Sequence, residues 1–177
     1  MRTLLASSAL ALLFAAPLHA ADDHDHDKKR ELSSHEHGHV ALRVAIDGDK
    51  LAVELEAPGE SIVGFEHAAE NDEQKKQVEA ARATLADTTK LFTLTEAAGC
   101  TPASSEVELH TEGDHSAFEG EYSFTCSNIA ALNSIETKLF TLYPKIEEID
   151  VDYATAAGQG SVELEKGSPV VTLPSTS

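Results

Sequence analysis

The chain has 177 residues, 31 acidic against 13 basic, a formal charge of −18, no tryptophan and few aromatic side chains. Such a surface repels nucleic acid and anionic lipid and attracts cations, and it offers little for sugars or bases to stack on. The length suits one domain with a real hydrophobic core.

Residues 1–20 hold a lone Arg2, an apolar run from Leu4 to Leu18 and a small residue at Ala20. This is the layout of a secretory signal peptide, with cleavage expected after Ala20. No cysteine stands there to take a lipid anchor, and the run is too short to span a bilayer comfortably. An exported, soluble protein without membrane insertion is expected. Residues 21–34 place His24 and His26 among Asp22, Asp23, Asp25 and Asp27, followed by Lys28, Lys29 and Arg30. With almost no apolar content the stretch predicts a disordered tail, whose two histidines would catch divalent cations weakly.

His35-Glu36-His37-Gly38-His39 follows, three histidines at alternate positions. Neutral imidazole is a common ligand for zinc and neighbouring transition metals, and this density points to a metal site. The same residues fit H-E-x-x-H, which on a helix presents two zinc ligands and a glutamate base. Local pattern argues against that helix. Val40, Leu42, Val44 and Ile46 alternate with Ala41, Arg43, Ala45 and Asp47, which predicts a strand. In a strand His35 and His39 lie roughly 13 Å apart, too far for one ion unless Gly38 bends the chain, whereas His37 and His39 lie roughly 6.6 Å apart on one face.

Asp47-Gly48-Asp49-Lys50 supplies a turn, and Leu51, Val53 and Leu55 complete a hairpin. Pro58 and Gly59 end it, and Phe65-Glu66-His67 lies in the crossing segment. Residues 71–85 predict an amphipathic helix capped by Asn71 or Asp72, with Val78, Ala81 and Leu85 inward. Val107 and Leu109, then Phe118, Tyr122 and Phe124, predict a second hairpin whose turn holds Glu112, Gly113, Asp114 and His115. Ser127 or Asn128 caps a second predicted helix with Ile129, Leu132, Ile135 and Leu139 at helical spacing, ended by Pro144. Ile149, Val151 and Tyr153, then Val162 and Leu164, predict two more strands, and Val170 to Leu173 a short edge strand. The expected fold is therefore α+β, a single domain of antiparallel β-sheet with two packing helices in the order ββα-ββα-ββ. Inward rows are apolar and outward rows acidic. The repeated hairpin-helix order hints at a duplicated unit. Residues 35–173 form the expected metal-binding domain, and residues 174–177 a C-terminal tail.

The only cysteines are Cys100 and Cys126. An even count in an exported protein predicts a disulfide, worth roughly 3.5 kcal/mol in the chain-entropy model. No Gly-rich phosphate loop, G-x-S-x-G elbow or C-x-x-C pair occurs, so catalysis has no evident seat.

The stretches HEHGHVALRVAIDG (35–48), GFEHA (64–68), AGC (98–100), HSAFEGEYSFTC (115–126), LFTLYPKIEEIDVDY (139–153) and AAGQG (156–160), taken in order, resemble the ZrgA-like family of zinc-regulated periplasmic proteins. The resemblance implies a non-enzymatic periplasmic protein that binds Zn²⁺ and assists its uptake beside an ATP-binding-cassette zinc importer or its solute-binding protein. It supports His35, His37 and His39 as ligands, marks Glu66 and His67 as the next candidates, and supports the Cys100 to Cys126 bridge. Relatives often carry a long His- and acid-rich insert where Asp114 and His115 stand here, which lowers the expected zinc capacity.

The expected metal set is thus His35, His37, His39, Glu66, His67 and His115, with His24 and His26 as weak capture groups. Zn²⁺ is the expected ion by resemblance, and imidazole also serves other divalent transition metals. The rivals are a zinc-dependent hydrolase using His35, Glu36 and His39, which needs a helix over residues 35–44, and a periplasmic adaptor whose histidines are incidental.

Overall fold

The computed structural model describes residues 37–174. Period-2 patterning builds β1 (His39–Asp47) and β2 (Lys50–Pro58), paired antiparallel with Val44 opposite Val53. Val40, Leu42, Val44, Leu51, Val53 and Leu55 are buried on one face. A short helix α1 (Gly59–Val63) ends at left-handed Gly64, and the chain crosses to α2 (Asp72–Leu85). Asn71 caps α2 by accepting a hydrogen bond from the Gln74 amide at 3.0 Å, and Val78, Ala81 and Leu85 are its buried stripe. One turn, α3 (Thr88–Leu91), leads to β3 (Phe92–Leu94).

The second hairpin is long: β4 (Cys100–Glu112) and β5 (His115–Cys126), with Cys100 opposite Cys126 and joined to it by a disulfide. The Arg82 guanidinium donates to the Val107 carbonyl at 3.1 and 3.3 Å, tying α2 to β4. After β6 (Ser134–Thr137) and one helical turn, α4 (Leu139–Leu142), come β7 (Glu148–Thr155), β8 (Gly158–Glu165) and β9 (Val170–Thr172). Six strands form one sheet in the order β4-β5-β2-β1-β7-β8, and β3-β6-β9 form a second.

This architecture corrects the expected ββα-ββα-ββ fold. The described chain is mostly strand, with nine strands in two sheets and α2 as its long helix. The sheet is not wholly antiparallel, because β1 and β7 run parallel. The helix expected after Asn128 is replaced by a 3-10 turn (Ile129–Ala131), β6 and α4. Leu132, Ile135 and Leu139 are buried as their spacing requires. Between them, though, Ile135 and Thr137 turn inward while Glu136 stays exposed, which is period 2. Neighbours decide the outcome. Strands β3 and β9 flank β6 and satisfy its backbone groups, while Asn133, Ser134 and Thr137 are weak helix formers. With the second helix gone, the two halves do not repeat one another.

Candidate metal centre

Gly38 organises the head of β1. Its φ of +87° is left-handed, a region where glycine alone is at ease. Its N–H donates to the Ser61 hydroxyl at 3.1 Å, and its carbonyl accepts from the Glu147 and Glu148 amides at 2.8 and 3.2 Å. The residue is thereby held between α1 and the entrance to β7. His37 lies in the turn before the strand and His39 is the first strand residue. The extended geometry that would set them side by side on one face is absent, and their contacts diverge.

His37 turns to the segment after α1, where its Nε2 lies 3.0 Å from Glu66 Oε1. The other oxygen of the same carboxylate, Oε2, accepts from His115 Nδ1 at 2.8 Å. Glu66 is largely covered, 15% exposed, while the two imidazoles are 63% and 53% exposed. A carboxylate from the crossing segment therefore holds one imidazole from the head of β1 and one from the head of β5. The imidazoles sit on different oxygens of the carboxylate, and the three side chains do not bring one ligand atom each within 4.8 Å of one another. Two nitrogens and one carboxylate are a donor set that zinc accepts. His67, the next residue, stacks on Phe65 with ring centroids 5.1 Å apart and places Nδ1 2.9 Å from the Ala68 carbonyl. A carbonyl only accepts, so Nδ1 carries hydrogen and a neutral ring presents its lone pair at Nε2.

His39 turns to β7, with Nδ1 3.4 Å from Glu148 Oε1. His39, Glu148 and Asp150 each offer a ligand atom, all within 4.8 Å of one another, and all three are half-buried. Burial raises the Glu148 carboxyl above its ordinary value, and nearby Glu163 and Asp150 add to the rise while His39 opposes it.

Of the other expected residues, His24, His26, His35 and residues 1–20 lie outside the described part of the chain. Cys100 and Cys126 are bonded to each other. The helix that H-E-x-x-H requires is not formed from His39 onward, where the chain is strand. Glu148 and Asp150 escaped the sequence reading because they look like any outward acidic row. Only the parallel register of β1 with β7, His39 opposite Glu148, brings them beside a histidine. His110 escaped it too, lying on β4 with Nε2 3.2 Å from Glu108 and 3.5 Å from Glu119. Among the described residues no helix is long and apolar enough to cross a membrane.

No curated protein matches the chain. Residues 34–173 match the profile of the ZrgA family of zinc uptake proteins. That match takes in both histidine clusters and every described strand, and on it the chain belongs to the ZrgA family of zinc uptake proteins.

Proposed function

We propose that this protein is a periplasmic zinc-binding protein, not an enzyme, that captures or buffers Zn²⁺ and assists its import by a zinc transporter. The observation that carries the reading is Glu66, whose two oxygens hold His37 and His115 from distant parts of the chain. Capture replaces the hydrogen bonds of the two imidazoles with bonds to the ion, and requires the exposed rings to swing together onto it. His67, with its lone pair at Nε2, is the further candidate for the shell. The negative surface attracts the cation and the exposed imidazoles leave it accessible to an acceptor, such as an ATP-binding-cassette importer or its solute-binding protein. Membership in a zinc uptake family, an exported-type N-terminus and the disulfide support the setting.

Calorimetric titration of Zn²⁺ at pH 7.4 tests it. The His37→Ala, His115→Ala double variant and Glu66→Gln are each expected to weaken the tightest binding at least tenfold. Unchanged tight binding in either would overturn the assignment of capture to this cluster.

A further inference from the structure

We propose that His39, Glu148 and Asp150 form a second metal site, separate from the Glu66 cluster and adjacent to it. The parallel pairing of β1 with β7 sets His39 opposite Glu148 and Ala41 opposite Asp150. Side chains two apart on a strand share a face, so His39, Glu148 and Asp150 stand together on the outward side. Ala41, at the fourth corner, is buried and offers no ligand atom. Their ligand atoms already lie within 4.8 Å of one another, so a small closing movement brings them onto one ion. Arg43, the next outward residue on β1, reaches to Glu54 and Glu56 of β2, at 3.7 and 3.6 Å, and so leans away from β7 on the same face. Glu163 stands opposite Asp150 on β8 and adds a further carboxylate beside the site.

Gly38 keeps the two sites apart. It is hydrogen-bonded to Ser61 on one side and to Glu147 and Glu148 on the other, and the histidines flanking it serve different carboxylates. The two imidazoles start from Cα atoms at most about 7 Å apart and turn to different carboxylates. The donor sets of the two sites differ. One imidazole with two carboxylates is a harder set than two imidazoles with one, and it holds zinc less selectively. The second site thus suits an ion in passage, received from solvent or released toward an acceptor, beside a tighter site that retains one.

This deepens the zinc-capture reading, and the same titration separates the two. Zn²⁺ binding by the full chain is compared among the parent, Glu148→Gln/Asp150→Asn, His39→Ala and Glu66→Gln, counting ions lost relative to the parent so that ions held elsewhere cancel. Circular dichroism confirms that each variant is folded. The expected result is that Glu148→Gln/Asp150→Asn loses one weaker equivalent while the tightest phase stays within twofold, and that His39→Ala weakens the same equivalent at least tenfold. Loss of the tightest phase in His39→Ala would show that His37 and His39 share one ion and would overturn the proposal. So would an unchanged isotherm in Glu148→Gln/Asp150→Asn. If Glu66→Gln leaves the tightest phase intact while the weaker equivalent still depends on Glu148 and Asp150, the capture assignment fails and the second site stands.

Discussion

Asp87 shows how a single side chain is tuned by its neighbours on this acidic surface. It precedes α3, and its Oδ1 accepts from the Thr89 hydroxyl at 2.6 Å and the Thr89 amide at 3.2 Å, while Lys90 lies 2.9 Å from Oδ2. The Thr89 hydroxyl first, then Lys90, lower its pKa to about 2. A carboxyl held low in the folded state stabilises it above the unfolded value of about 4 and loses that contribution as pH falls toward about 2. Parent and Asp87→Ala should therefore differ in stability at neutral pH, and the gap should narrow between about pH 4 and 2 in denaturant titrations at each pH. The metal residues were legible to different degrees at this scale. Histidine density drew attention to His37 and His39 without any structure. Glu66, an ordinary acid in a polar segment, entered through family resemblance. Glu148 and Asp150 could not be singled out at all, because their chemistry depends on which strand lies beside them.

Among the elements, the turn at Gly38 does most to place the site. Alanine there would have to adopt a left-handed backbone and would bring its Cβ to 3.1 Å from Glu147 Cγ. We expect Gly38→Ala to cost about 1–2 kcal/mol in urea unfolding, and to weaken zinc binding at both clusters, because each depends on where this residue sends its neighbours. A loss of stability with both affinities unchanged would show that the turn serves only the fold. Helix α2 and the hairpins were readable because their patterns run long and their caps and turns are conventional. The stretch from Asn128 to Leu139 misled because apolar residues three and four apart satisfy a helix and, with a turn and a bend between them, also a buried strand. Strand β3, three residues long, is too short for alternation to declare itself.

Across the whole molecule, the large sheet presents an acidic outer face. Glu106 faces Glu121, which faces Glu54, and one row along Glu108 faces Glu119, which faces Glu56. Like charges directly opposite each other on neighbouring strands destabilise a sheet, and salt screens them over about 10 Å at 0.1 M. Melting temperature should therefore rise as sodium chloride is raised from 10 to ~300 mM; a fall would mean that ion pairs such as Arg43 with Glu54 and Glu56 outweigh the repulsion. The acidic outward rows could be read from the chain itself, but their side-by-side register could not, since strand order is a property of the assembled sheet.

That order has a kinetic side. The central β1 takes one neighbour, β2, through a tight local turn and the other, β7, from the far end of the domain. Closing so long a loop is entropically slow, so pairing of this kind tends to come late in folding. The histidine at position 39 thus meets its carboxylates only when the C-terminal hairpin docks. An ion held there would join the first strand of the domain to a late one, and would act as a clasp that slows reopening of the sheet along the seam where it closes last.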